Sequence, residues 1–241
     1  MTARAAGRFP RFAIQILLNV ADYFLRVAFA PPASLRQARA AWQQRAARRH
    51  LKLFNFSATV SGEIPRSGLL VSNHLSYLDI LVIGSLTPTV FVSKADVRGW
   101  PVFGWLAERA GTVFIERERR LHVGEVNSQI QSALADGMLV VVFPEGTSSN
   151  GATVLPFRSS LLEPVAGGAH HITVGRLAYA LADGDAAKEA CYWGDHTFFP
   201  HLLNLLGKRA LGATVKFAPF GASTADRKEL ARQLHAAVGA L

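Results

Sequence analysis

Cysteine is almost absent from this sequence: Cys191 stands alone among 241 residues. One thiol excludes an internal disulfide and fits a reducing compartment. There is also no internal repeat, no low-complexity tract, no cluster of metal-ligating side chains and no G-x-S-x-G nucleophile elbow. The adjacent His170 and His171 do not make a metal pair, because consecutive side chains on a strand face opposite ways. No metal and no bound cofactor are expected.

Acidic residues are scarce at one end. Residues 1–53 hold ten Lys or Arg and a single acid, Asp22, for a net charge of +9; the other 188 residues carry 16 basic and 16 acidic side chains. The pI near 10.3 therefore describes a basic arm on a neutral domain. Such an arm suits nucleic acid or an anionic membrane. Nucleic-acid binding asks for basic residues interleaved with aromatics over the folded face, and a neutral domain does not supply them, so no nucleic-acid partner is expected.

Long uninterrupted apolar runs are missing too. Residues 12–30 match a spanning helix in length, roughly 20 residues, but Asp22 and Arg26 interrupt them. A charge at the bilayer centre costs on the order of 2.5–3.5 kcal/mol. The i, i+4 spacing lets the two pair on one helix face. The expectation is a helix lying in the interface or tilted shallowly, with a buried core helix as the rival. No small-residue cleavage site precedes Pro31-Pro32, which argues against a signal peptide. Residues 34–52 are helical in pattern, with Leu35, Ala38, Trp42, Ala46 and His50 on one side. Each basic side chain at an anionic surface is worth about 1 kcal/mol. Residues 1–53 are thus read as membrane-anchoring helices and 54–241 as an α/β domain.

Within that domain strands and helices alternate. Residues 69–72, 90–92, 112–115 and 138–143 read as strands, the last fully apolar and ended by Pro144. Residues 80–86 are helical in length and stop at Pro88. Val126, Ile130 and Leu134 mark another helix, with Gly137 beyond its end. Residues 172–174 and 213–218 are later strands, and a last helix begins near Ser223. This order predicts an α/β fold with a mixed, largely parallel sheet flanked by helices, behind an N-terminal membrane-associated helical segment. Ligand sites in such sheets collect at the loops leaving the strand ends.

Three motifs leave those strands. In Asn73-His74-Leu75-Ser76-Tyr77-Leu78-Asp79, a histidine can act as base at neutral pH with a carboxylate on its other nitrogen to fix the tautomer; a satisfied core histidine is the rival reading of His74. Five positions of regular helix do not bring both to one face. The pairing works if His74 lies in the turn and Asp79 in the first helical turn. Asp79 also fits a variant capping box with Ser76. The second motif is Phe143-Pro144-Glu145-Gly146-Thr147-Ser148-Ser149, whose glycine allows close approach of backbone N–H groups to a ligand or simply serves a turn. The third is Gly111-Thr112-Val113-Phe114-Ile115-Glu116-Arg117, which sets Arg117 at a strand end, where arginine suits phosphate or carboxylate or is simply solvated.

Taken in order, NHxxxxD, GxxFI-acid-Arg and FPEGT resemble the glycerolipid acyltransferases of the 1-acyl-glycerol-3-phosphate acyltransferase family, over roughly residues 69–157. The resemblance implies transfer of an acyl chain from acyl carrier protein or coenzyme A to the free hydroxyl of a lysolipid, at the cytoplasmic side of a bacterial inner membrane. It implies His74 as general base, Asp79 as its orienting partner, and Glu116, Arg117, Glu145, Gly146 and Thr147 at the acceptor, with Lys94 and Arg158 as further candidates there. The expected acceptor is lysophosphatidic acid, giving phosphatidic acid.

Three positions depart from the family pattern. Glu116 stands for an aspartate, Ser148 stands where many members carry arginine, and the strand at 172–176 lacks the family's proline. Ser148, with Tyr192-Trp193-Gly194-Asp195-His196 and Pro200-His201, resembles bacterial members that acylate lyso-ornithine lipid, the second acceptor considered. Readings of another class are a non-catalytic basic protein of membranes or nucleic acid, and a serine hydrolase.

Overall fold

The computed structural model describes residues 2–115, 123–167, 170–221 and 224–241. Its centre is a seven-stranded sheet in the order β1-β7-β6-β2-β5-β3-β4. The strands are β1 (Phe56–Ser61), β2 (Gly68–Ser72), β3 (Thr89–Lys94), β4 (Val113–Ile115), β5 (Leu139–Val142), β6 (Ile172–Leu181) and β7 (Leu211–Phe220). All neighbours pair in parallel except β6 with β7, which run antiparallel. The sheet is mixed and largely parallel, as the sequence predicts.

Two-residue periodicity sorts the side chains between two layers. Leu69, Val71, Val90, Val140, Val142, Ile172 and Val174 face α5 (Val123–Ala135) and α8 (Arg227–Ala240). Leu70, Phe91, Leu139, Val141, Leu177, Val215 and Phe217 face α3 (Leu78–Leu86). All four residues of β5 are buried, because a central parallel strand is covered on both faces. Ser223, where the last helix was expected to start, lies outside the described residues; α8 begins at Arg227, capped by the Asp226 carboxylate on the Lys228 N–H.

The N-terminal helices α1 (Ala3–Arg26) and α2 (Pro32–Leu53) pack on this layer, α2 against α3 and α1 against α2 and α7 (Phe198–Gly207). Asp22 and Arg26 pair at 3.0 Å as their spacing suggests. Arg45 and Arg49 of α2 also reach Asp22, at 3.1 and 2.9 Å. Burial would raise the Asp22 carboxyl, but hydrogen bonds from Arg49 and Arg45 prevail and hold it below the usual carboxylate range. The charge that interrupts the apolar run thus knits two helices together. Among the described residues, no helix is long and apolar enough to cross a membrane. The outer face of α1 and the turn after it nevertheless exposes Ile14, Leu17, Leu18, Phe24, Leu25 and Phe29, a continuous helical stripe.

Two further helices complete the chain: α4 (Phe103–Arg109), whose Trp105 and Leu106 pack against Tyr23 and Trp42, and the short α6 (Ala186–Glu189) against β6 and α7. Because β2, β5, β3 and β4 are parallel neighbours, their C-terminal ends share one edge of the sheet. His74, Glu145 and Lys94 sit just beyond or at that edge, and Glu116 and Arg117 follow β4 directly, outside the described residues.

Candidate functional site

His74 lies in the turn between β2 and α3, and Asp79 is in the first turn of α3. That placement brings His74 Nδ1 to 2.6 Å from Asp79 Oδ2. The same Oδ2 accepts from the backbone N–H of Leu75 at 2.7 Å and of Ser76 at 3.1 Å. Asp79 therefore holds the turn before α3 and orients the histidine with one oxygen. The serine half of the expected capping box is not made: the buried Ser76 hydroxyl has no hydrogen-bond partner among the described residues. Asp79 is fully buried, and α3 directs its N-terminal dipole at it.

Since a carboxylate only accepts, Nδ1 of His74 carries the proton and the Nε2 lone pair is left for a substrate. The imidazole stacks on Phe143, with centroids 4.4 Å apart and planes at 16°. Its main chain is clamped as well. The His74 N–H donates to Glu145 Oε1 at 2.8 Å, the His74 carbonyl accepts from the Ser149 N–H at 3.0 Å, and the Leu75 carbonyl accepts from the Tyr192 N–H at 2.7 Å.

Glu145 is 3% exposed and its second oxygen accepts from the Leu155 N–H at 3.1 Å. Both oxygens are thus spent on backbone, behind the cleft rather than lining it. Burial pushes this carboxyl above its usual range, against the pull of the two N–H bonds. Gly146 adopts φ +70° and donates its N–H to the Phe143 carbonyl, closing a turn; that amide is engaged within the loop. Ser148 Oγ donates to the Tyr192 carbonyl, tying the loop after β5 to the 192–201 segment. Arg158 is exposed and does not line the cleft, and its backbone N–H bonds the Pro144 carbonyl.

His74, Lys94, Gly146, Thr147, Ser148 and Tyr192 share the walls of an open cleft of about 280 Å³. A second cavity of about 190 Å³ adjoins it, walled almost entirely by apolar side chains of α1, α2, α3 and α4, including Phe12, Ile16, Trp42, Leu81, Phe103 and Leu106. Tyr77, Ile80, Phe91, Ser93, Val97 and Trp100 belong to both, so the apolar tunnel opens beside His74. The sequence alone names none of these walls, because they come from helices far apart in the chain.

Two further groups escape the sequence reading. Tyr179 on β6 donates to Asp79 Oδ1 at 2.5 Å, and Asn73 makes a two-way bond with the Leu177 backbone, at 3.0 and 2.7 Å. Reading β6 as residues 172–174 cuts the strand before Tyr179; its alternation with Leu177 is the signal that would have found it. The Tyr77 hydroxyl bonds His201 Nδ1 at 2.9 Å, and burial lowers His201 to about 4, keeping it neutral. Burial lifts the Cys191 thiol to about 12, so it is no thiolate nucleophile at neutral pH.

The acyltransferase family model matches residues 57–174. A lyso-ornithine lipid O-acyltransferase of Pseudomonas aeruginosa is 38% identical over 188 residues, covering 76% of this chain and 71% of that protein. A 1-acyl-sn-glycerol-3-phosphate acyltransferase of Neisseria gonorrhoeae is 37% identical over 101 residues, 42% of this chain and 40% of that one. The crystal structure of the 1-acyl-sn-glycerophosphate acyltransferase PlsC from Thermotoga maritima superposes with a TM-score of 0.62 at 19% identity, covering 97% of this chain and 95% of that one, which establishes the shared fold.

Proposed function

The chain belongs to the acyltransferase family of the lysolipid O-acyltransferases, and we propose that it moves an acyl chain from a thioester of acyl carrier protein or coenzyme A to the free hydroxyl of lyso-ornithine lipid. The observation that carries this reading is the His74–Asp79 pair at the junction of a polar cleft and an apolar tunnel.

The chemistry follows from the two ring nitrogens. His74 Nε2 takes the proton of the acceptor hydroxyl as its oxygen attacks the thioester carbonyl, while Asp79 stabilises the imidazolium. Collapse of the tetrahedral adduct breaks the carbon–sulfur bond and forms the ester. The departing thiolate, whose conjugate acid has a pKa of about 8.5, needs little assistance and recovers the proton from His74. No residue of the enzyme is acylated. The tunnel holds the acyl chain of the donor, which places its carbonyl beside His74.

Two observations favour lyso-ornithine lipid over lysophosphatidic acid. Ser148 replaces an arginine and spends its hydroxyl on the Tyr192 carbonyl, so it offers no phosphate ligand. The similarity to lyso-ornithine lipid O-acyltransferases extends over most of the chain, whereas that to the glycerolipid enzyme of Neisseria spans less than half. The exposed apolar stripe of α1, flanked by the basic residues of α1 and α2, fits a helix lying on an anionic bilayer, at the cytoplasmic face of a bacterial inner membrane.

The test is lipid mass spectrometry on purified protein in anionic liposomes, offering both thioesters and both lysolipids. Acylated ornithine lipid as the main product is the expected result. Phosphatidic acid formed in preference would overturn the acceptor assignment and show that other cations replace the missing arginine.

A further inference from the structure

We propose that Tyr179 is a positioning residue of acyl transfer, holding Asp79 Oδ1 so that the carboxylate keeps Oδ2 on His74; this rests on the acyltransferase reading of the site. Both oxygens of the Asp79 carboxylate are satisfied by named donors. Oδ2 accepts three bonds, from His74 Nδ1, Leu75 N–H and Ser76 N–H. Oδ1 accepts from Tyr179 at 2.5 Å, the length of a charge-assisted O–H···O⁻ bond. Asp79 is fully buried, so no solvent takes over if that donor is lost. Burial, reinforced by the Asp79 charge, pushes the Tyr179 phenol far above its usual value, and it remains a donor throughout the working range.

Its delivery to this spot is built into the sheet. β2 ends at Ser72, while β6, its parallel neighbour, continues to Leu181. Asn73 extends the ladder with its side chain: Nδ2 donates to the Leu177 carbonyl at 3.0 Å and Oδ1 accepts from the Leu177 N–H at 2.7 Å. Leu177 and Tyr179 are two apart on a strand, so they share a face, and that face packs against α3. The asparagine that precedes the base therefore sets the register that places Tyr179 over Asp79. Tyr179 lines neither the cleft nor the tunnel. It acts on the reaction through Asp79, without touching substrate.

The consequence has a sign. While His74 is neutral the Asp79 carboxylate carries its full charge and depends most on the Tyr179 donor. Removing the hydroxyl destabilises that state relative to the one in which an imidazolium faces the carboxylate. The acidic limb of the kcat–pH profile then moves upward. With Oδ1 unheld the carboxylate is pinned through Oδ2 alone, its orientation toward His74 is less exact, and kcat falls.

The experiment compares wild type, Tyr179→Phe and a protein with 3-fluorotyrosine at position 179, in liposomes with the preferred thioester and acceptor. Tyr179→Phe is expected to lose about 10- to 100-fold in kcat, a part of the range that base catalysis supplies, with both KM values within about twofold and the acidic limb displaced upward. Fluorotyrosine, an isosteric and stronger donor, is expected to displace it downward, and it provides the test should Tyr179→Phe fail to fold. Wild-type transfer with limbs unmoved by either replacement overturns the inference alone. A wild-type protein that acylates neither lysolipid overturns the reading of the site and the inference with it.

Discussion

Four donors converge on the Asp79 carboxylate, from His74, Leu75, Ser76 and Tyr179. An amide in its place cannot accept from all of them, and its NH2 group would confront a donor. Asp79→Asn is therefore expected to reduce kcat by about 10²- to 10⁴-fold through loss of the correct His74 tautomer, measured with the protein still folded by circular dichroism. Glu145 makes a different prediction, because its oxygens hold the N–H groups of His74 and Leu155. Glu145→Gln leaves one buried N–H facing a donor, which costs about 1–3 kcal/mol. It should lower the unfolding free energy and kcat together, with KM for the acceptor little changed. A direct head-group contact would instead raise that KM. His74 and Asp79 were readable from spacing and residue chemistry. The task of Glu145 was not, since nothing in FPEGT reveals that both oxygens will face backbone.

The helices wall the apolar tunnel on one side and expose an apolar stripe on the other. Ala46 of α2 lines the tunnel, so Ala46→Phe should block part of it and shift the donor preference toward shorter chains. A change of about 10-fold or more in the ratio of long- to short-chain turnover is expected, since each methylene is worth about 1–3 kcal/mol in such a pocket. On the outer face, Leu17, Leu25 and Phe29 are 69%, 81% and 88% exposed. Replacing all three by serine should weaken partition into anionic vesicles by 100-fold or more in a flotation assay, at about 1.5–3 kcal/mol per large side chain. Unchanged partition would show that this stripe does not meet the bilayer. The central strands were legible because apolar runs bounded by Gly, Pro and His leave few alternatives. β1 escaped because its burial is slight, and α7 because Phe198–Gly207 follows a turn-rich stretch. β6 was cut short at Val174, where Gly175 and Arg176 interrupt the apolar pattern and hide the ladder to Leu181.

For the whole molecule, buried histidines set the acid limit. Burial depresses His50, and depresses His201 to about 4, from an ordinary value near 6.5. Between those values the unfolded chain binds protons that the native protein refuses, so stability falls as the pH drops through that window. Glu145 works the other way, its raised carboxyl favouring the folded state at lower pH, but the depressed carboxyl of Asp22 acts in the same direction as the two histidines. Denaturant midpoints at pH 7 and pH 4.5 should show the decrease, and His201→Gln, which keeps a polar side chain at this site, should shrink it. The basic arm and neutral domain seen in the charge distribution are one packed structure, with α1 and α2 walling the tunnel beside the base. The measurement that bears most directly on the account is acyl transfer by His74→Ala, compared with wild type in anionic liposomes with lyso-ornithine lipid and a thioester donor. The account predicts ester formation by wild type and a loss of at least about 10²-fold in the variant; a variant that transfers acyl chains at the wild-type rate would contradict it.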